Sequence, residues 1–400
     1  MNRRHLVAAL VGALALAVPG SASASAHAAI PGDAPPAQPS GRPVLGPNQV
    51  ATGDRVPWDT VGHGWYLTLI DQGVRGGDGI DPHHQLLDLV DPRGGRYQLV
   101  RSSVGKGDAG FRRLMDWSVD GRRALVMVGE GTPRARAIDY HLRSGAHRTF
   151  SLDRRISTVS LGPHGSLFAT RYGGNGGALL RLNRDGTHEL LMRHTDQLPL
   201  PTRSGHRVVV APAGFHQHAF QVVSSHGTLV RTLPLPRKCS ATRWWSAGTV
   251  LASCFTRLGS TRLYAVPTDG SAPVALTARH GRHSADLGDL DARVLDGTTY
   301  LEAAGPCGVV FLARQHADGS ATEVRVPGST GNVYLLGTRG HRLVLRTGVS
   351  CDGGRGAGPS HDAITHFDPA THADRVVAEL PAGEAYGTVL AFGERHTTVD

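Results

Sequence analysis

Residues 179–191 read LLRLNRDGTHELL: an apolar run, Asp185-Gly186 at the centre, and a second apolar run after it. β-favouring runs on both sides of Asp-Gly mark a tight antiparallel hairpin, because glycine supplies the positive φ that the turn demands. The same strand–turn–strand pattern recurs as LLDLVDPRGGRYQLV (86–100), AIDYHLRSGAHRTFSL (137–152) and AFQVVSSHGTLVRTL (219–233). It continues as RLYAVPTDGSAPVAL (262–276), VFLARQHADGSATEVRV (310–326) and ITHFDPATHADRVVAEL (364–380). A second series of short turns, each followed by an apolar strand, falls at Gly64, Gly121, Gly165, Gly205, Gly248, Gly297 and Gly340. The two series keep a fixed offset. Gly121 to Gly145 is 24 residues, Gly165 to Gly186 is 21, and Gly205–Gly227, Gly248–Gly270 and Gly297–Gly319 are each 22.

The repeating unit is therefore two linked hairpins, or four strands, occurring seven times. A four-stranded unit of roughly 40–50 residues cannot bury both faces alone, whereas a closed ring of such units buries every inner face and leaves only short edges. The expectation is an all-β protein: a seven-bladed β-propeller of four-stranded antiparallel blades over residues 56–400. EAYGTVLAFGERHTTVD (384–400) follows the seventh hairpin and still reads as strand, so it is expected to pair with the first blade and close the ring.

FRRLMDWSVDGRRALVMV (111–128), with Trp117-Ser118 and Asp120-Gly121 ahead of a strand, resembles the repeat of TolB-like and WD-repeat-like propellers. VPWDTVGHGW (56–65), LVDPRGGRY (89–97) and FDPATHADRVV (367–377) look like a secreted actinobacterial group called TolB-like. The resemblance covers roughly residues 50–400 and implies a propeller in an exported protein. The TolB likeness also implies protein–protein binding at a cell envelope, a role not carried over because actinobacterial envelopes mostly lack the system that Tol proteins serve.

Residues 1–28 have the form of a secretory signal peptide. Arg3 and Arg4 precede an apolar run from Leu6 to Val18, and Ala26-His27-Ala28 is an A-x-A cleavage pattern. Arg3-Arg4 also loosely fits twin-arginine export, with general secretion preferred. No cysteine precedes Cys239, which excludes a lipoprotein anchor at that site, and no later apolar run is long enough for a transmembrane helix. Loss of Arg3 and Arg4 takes the net charge from +9 to +7. Six prolines between Pro31 and Pro47 make 29–55 a Pro-rich flexible linker. The expected localisation is extracellular, with cell-wall association as a further option.

Two blades exceed the regular offset in the loop between their second and third strands. DQGVRGGDGIDPHHQ (71–85) belongs to the first blade and SCDGGRGAGPSHD (350–362) to the seventh. Ring closure makes those blades neighbours, so both long loops are expected on one face at the seam, where a rigid scaffold presents binding residues. The candidate binding residues there are Asp71, Asp78, Asp81, His83, His84, Asp352, His361 and Asp362, with His216 and His218 in the matching loop of the fourth blade. Gly76-Gly77-Asp78-Gly79-Ile80-Asp81 matches the start of a calcium-binding nonapeptide, which makes Asp78 and Asp81 candidate Ca2+ ligands. Those repeats need stacked copies, and this is a single one, so no cofactor is expected. Zinc through the histidines is the other alternative, and solvated loop groups are the bland one.

Four cysteines in an exported chain suggest two disulfides. Cys239 starts the first strand of the fifth blade and Cys254 ends the second, and Cys307 and Cys351 occupy equivalent loop starts, so the expected pairs are 239–254 and 307–351. Trp117 and Trp244 stand four residues before Gly121 and Gly248, a shared phase that reads as blade-to-blade packing. No G-x-S-x-G is present, and Ser360-His361-Asp362 are adjacent, which does not make a triad. Forty arginines against Lys106 and Lys238 form no dense aromatic-interleaved stripe, so specific nucleic-acid binding is not expected. The functional expectation is a secreted, monomeric, non-enzymatic binding or scaffold propeller whose partner is a protein or cell-wall polymer. The alternative is an extracellular hydrolase or lyase acting on polysaccharide.

Overall fold

In the computed structural model, the described residues are 45–76, 79–104, 110–173, 176–195, 199–212, 218–256, 260–278, 288–305, 309–329, 331–348 and 362–393. The candidates Asp78, His216, Asp352 and His361, and the cysteines Cys307 and Cys351, lie outside them.

Strand follows strand with almost no helix, and the strands group in fours. The first group is β1 (Val50–Thr52), β2 (Tyr66–Gly76), β3 (Gly79–Val90) and β4 (Arg96–Ser103). Next come β5 (Arg112–Trp117), β6 (Arg123–Val128), β7 (Arg136–His141) and β8 (His147–Ser151), then β9 (Ile156–Leu161), β10 (Leu167–Arg171), β11 (Ala178–Leu182) and β12 (His188–Arg193). β13 (Leu200–Pro201), β14 (Arg207–Val210), β15 (Ala219–Ser224) and β16 (Leu229–Pro234) follow. The fifth set is β17 (Cys239–Ser246), β18 (Thr249–Phe255), β19 (Thr261–Pro267) and β20 (Val274–Ala275), and the sixth is β21 (Gly288–Leu295), β22 (Thr298–Ala304), β23 (Val310–Gln315) and β24 (Ala321–Glu323). The chain continues through β25 (Val333–Arg339), β26 (Arg342–Thr347), β27 (Ala363–Asp368) and β28 (Ala373–Glu379) to β29 (Glu384–Ala391).

From the second set onward, neighbouring strands within each set pair antiparallel in sequence order, as do β2, β3 and β4 of the first. The fifth and sixth sets are joined into one eight-stranded sheet by a single parallel bridge, Thr261 to Gly288. The first set is completed by β29, which pairs antiparallel with β2, so its sheet runs β1-β4-β3-β2-β29. β1 adds to the far edge parallel to β4, which places residues 50–52 of the expected linker in the sheet.

A repeated irregularity fixes the place of β29. The ladder between the first and second strands of a set skips one residue at Met115, Thr242, Leu290 and Leu336. The β29–β2 ladder skips Gly387 in the same way. Each extra residue is a β-bulge that increases local twist. After the bulge, Asp116 and Asp291 turn back so that Oδ1 accepts from the amides of Trp117 and Ala292. β29 thus stands to β2 as β5 stands to β6.

The hairpin turns form as their residues dictate. Gly186 has φ 89°, and Asp185 Oδ1 accepts from Thr187 N at 2.9 Å. Burial then follows the pleat and the stacking of sheets. β7 reads exposed, four buried, exposed, because both its faces are covered. Each apolar cluster joins successive sets. Leu125, Met127 and Phe150 meet Val159, Leu167 and Leu180 between the second and third, for example. Another cluster joins Tyr66, Ile70 and Leu86 of the first to Val344, Ile364 and Val377 of the last.

The tryptophans pack between sheets. Trp117 meets Phe392 edge-on at 5.2 Å, and buried Trp244 donates Nε1–H to Pro201 O at 2.8 Å. Cys239 and Cys254 face each other across the β17–β18 ladder and form a disulfide.

Candidate functional site

The contact between the first and last sheets holds a group of buried charged side chains, Asp88, Arg96 and Asp362 among them. Asp88 sits in the middle of β3 in the run Leu86-Leu87-Asp88-Leu89-Val90, so its neighbours bury it completely. Arg96, at the start of β4, donates from Nε and Nη2 to Asp88 Oδ2 at 3.2 and 3.1 Å. Its Nη1 reaches Glu384 Oε2 at 3.1 Å, at the start of β29. Gln72 near the end of β2 donates Nε2–H to Glu384 Oε1 at 2.8 Å. The four side chains form one chain, Asp88–Arg96–Glu384–Gln72, across four strands.

This chain lines a cleft of about 470 Å3. The other walls are Leu86, Gln98 and Arg101 of the first sheet, Glu379, Leu380 and Pro381 at the end of β28, and Asn48 and Val50. Asn48 fastens this N-terminal stretch across the seam: its N–H donates to Gly94 O, and its Oδ1 accepts from Glu379 N at 2.9 Å. Two acceptor atoms in the network are buried without a hydrogen-bond partner, Asp88 Oδ1 and Gln72 Oε1. Burial pushes the Asp88 carboxyl up to about 6 despite the opposing pull of Arg96. Burial is also the main force pushing up the Tyr386 phenol beside it.

A second group lies at the same seam. Arg346, ending β26, donates from Nε and Nη2 to the two oxygens of Asp362 at 3.1 and 2.9 Å and also reaches Tyr386 O. Asp362 Oδ2 accepts from Tyr386 N at 2.7 Å, which ties the last sheet to β29. The guanidinium lies over the rings of Tyr334 and Tyr386. Asp71 feels both Arg346 and Asp362, and its Oδ1 accepts from Gln85 Nε2 at 2.7 Å. Burial raises both carboxyls from their ordinary range, with Arg346 opposing. A third buried pair, Tyr66 Oη and His366 Nε2 at 2.8 Å, bridges the same two sheets. Burial first, then Arg339, Arg375 and Arg342, lower this imidazole to about 4. A histidine so disfavoured as a cation is a poor general base for a neighbouring hydroxyl.

Of the residues singled out from sequence, Asp71 and Asp362 are brought together through Arg346. His83 is exposed and His84 half-buried in β3, and Asp81 stands in β3 opposite Val74. His218 is exposed beside β15, in another sheet. Among the described residues no group of three or more His, Cys, Asp or Glu is arranged to hold a metal ion. Asp88, Arg96, Gln72 and Glu384 were missed. Their signal is present in the sequence: an aspartate inside the apolar run 86–90, where the pleat offers no solvent-facing position.

No protein-family model matches the sequence, and no curated protein matches it. The fold does match solved structures. One, from a structural and mechanistic study of two prolyl endopeptidases, agrees with a TM-score of 0.55 at 11% identity, over 82% of this chain and 51% of that one. A puromycin hydrolase mutant complexed with PGG gives 0.50 at 16%, over 86% and 54%. The fold is a β-propeller. TolB from Acinetobacter baumannii gives only 0.38 at 12% identity, over 86% and 88%. This chain spans about half the length of the peptidases it matches, and the part covered is their propeller. The expectation of a non-enzymatic scaffold is corrected by these matches, since the solved propellers of this fold named above belong to peptidases. The repeats of a propeller carry no catalytic motif, so nothing in them separates a scaffold from a propeller that serves a hydrolase.

Proposed function

We propose that this chain is a hydrolase-related propeller that selects and holds a peptide-like substrate, with the seam cleft as the holding site. In this reading the seven sets of strands are seven blades of one ring, closed by β29 as the first strand of the first blade. The bulge shared by β29, β5, β17, β21 and β25 supports that count. The peptidase propellers of the same fold support the class of chemistry served. The observation that carries the site is the cleft of about 470 Å3, a size that suits a small ligand or a few residues of a chain, walled by buried polar groups. Export through the residue 1–28 signal belongs to the same proposal, as do contributions from the long loops around Asp71 and Asp362.

The test is binding and turnover of a fluorogenic peptide panel by the purified chain. Val50→Trp serves as the blocking variant, because Val50 is exposed and lines the cleft. At least one peptide is expected to bind saturably, with affinity lost in the variant while the melting temperature stays within a degree or two. Absence of peptide binding, or unchanged affinity in Val50→Trp, overturns the reading.

A further inference from the structure

The chemistry of the cleft restricts what enters it. Asp88 is fully buried, its Oδ2 is saturated by two N–H groups of Arg96, and its Oδ1 has no partner. Gln72 spends its only donor group on Glu384, leaving Oε1 buried with no partner. Both atoms without a partner are acceptors. A buried acceptor with no donor is costly, and a ligand that supplies N–H groups there recovers that cost on binding. The charged groups around the space are Asp88, Glu384 and Glu379 against Arg96 and Arg101, an excess of one negative charge. Arg96 is fully engaged by the two carboxylates, and its side chain is only 5% exposed, which leaves an anionic ligand little to grip.

We infer that the cleft takes a cationic nitrogen carrying N–H donors, a primary ammonium or a guanidinium, with Asp88 Oδ1 and Gln72 Oε1 as its acceptors. The inference rests on the cleft being the holding site proposed above and names the chemical class it holds. A metal ion fits less well, because among the described residues no group of three or more His, Cys, Asp or Glu is arranged to hold one. A quaternary ammonium fits less well again, since it has no N–H to give. The groups that act on or beside Asp88 are Arg96 from β4 and Glu384 and Tyr386 from β29, and Arg101 from β4 and Glu379 from β28 line the same cleft. Among them Asp88 is the carboxyl that burial pushes to about 6. Loss of its proton above that point strengthens the hold on a cation.

The experiment is isothermal titration of the full chain with agmatine, which carries both an ammonium and a guanidinium. Choline and Ca2+ serve as competing probes, at pH 5 and pH 8. The expected result is saturable agmatine binding at pH 8, weaker at pH 5, with choline at least roughly tenfold weaker. Gln72→Leu is expected to weaken agmatine by roughly 10- to 100-fold, the usual range for a hydrogen bond to a charged group. Asp88→Asn is a second variant, accepted only if its melting curve stays cooperative. No saturable agmatine binding, equal binding of choline, displacement by Ca2+, or an unchanged Gln72→Leu each overturns the inference. Neutral peptides held while agmatine is not would remove this inference and leave the proposed function standing. Agmatine held while no peptide is would do the reverse.

Discussion

Two contacts between neighbouring sheets solve the same packing problem with different chemistry. Between the second and third sheets lie Met115, Leu125, Met127, Phe150, Val159, Leu167 and Leu180, all buried, with a polar link from Leu161 N to Asp116 Oδ2 at 2.8 Å. Between the last and first sheets an apolar cluster of similar kind is interrupted by Asp88, Arg96, Glu384, Arg346, Asp362 and the Tyr66–His366 pair. Buried ion pairs repay their desolvation only with full hydrogen bonding, and apolar residues of similar volume often do better. A seam that keeps two unsatisfied acceptors beside a cleft is therefore poorly explained by stability alone. The difference is one of chemistry: buried charge and hydrogen bonding hold the seam, and side-chain packing holds the other contact.

The largest effect expected at the seam comes from a single methyl group. Gly94 has φ 93°, and a Cβ there would fall 1.6 Å from Val377 O in the last sheet. Gly94→Ala must push the two sheets apart, and a loss of roughly 3 kcal/mol or more is expected, read by chemical denaturation. Gly131, with φ 75° and nothing within 4 Å, is the matched control. Its alanine variant is expected to lose only about 1 kcal/mol, the cost of the backbone conformation. Equal losses at the two positions would mean that the close approach at the seam is not what the fold depends on. The apolar contact answers to ordinary cavity rules. Leu125→Ala, fully buried there, is expected to cost roughly 3 kcal/mol and to leave ligand binding at the seam untouched.

How much of this was legible follows from the range of the interactions. The hairpins were legible because Asp185-Gly186 and its equivalents act over two or three residues, and the constant offset between turn series reported their linkage. The pairing of Cys239 with Cys254 followed from strand phase. The cleft was harder to see. Asp88 and Arg96 lie inside a hairpin that the repeat had already explained, and their partner Glu384 is almost 300 residues away in the chain. Asp71 and Asp362 were singled out for the loops they flank, yet what joins them is Arg346 at a strand end. Nothing local in the sequence marks that arginine out from its many fellows. The likeness to peptidase propellers was not legible, since it is a likeness of fold at 11–16% identity.

Titration separates the two contacts more finely. His366 is held near 4, below its ordinary 6.5, so the stability it protects is present above pH 6.5 and is lost as pH falls from there to about 4. Asp88 is the opposite case. Raised from 3.8 to about 6, it favours the folded state below its ordinary value and loses that advantage as pH rises through about 6. The two act against each other over an overlapping window, each worth on the order of 3 kcal/mol. Relative to the native chain, His366→Phe is expected to gain stability on going from pH 6.5 to 4, and Asp88→Asn to lose it, in thermal melts across that range. Parallel curves for all three proteins would show that the seam does not titrate as its burial implies. Hydrogen exchange over the same pH range should leave β6 and β10, in the apolar contact, unchanged once corrected for the chemical rate.

The smallest expected effect tests how firmly the outer strand closes the cleft. Asn48 has φ 59°, accepts from Glu379 N, and donates to Gly94 O, so one residue joins both sides of the seam. Asn48→Gly keeps the backbone conformation and removes only the side-chain acceptor. A neutral hydrogen bond is worth about 1 kcal/mol net, and the amide it leaves is at an exposed edge where water replaces the oxygen. Global stability is therefore expected to fall by no more than about 1 kcal/mol, while exchange at the Glu379 amide accelerates roughly fivefold. Faster exchange at Glu379 with faster ligand release would make this segment a wall of the cleft that moves. Faster exchange with release unchanged would confine it to holding the two sheets together.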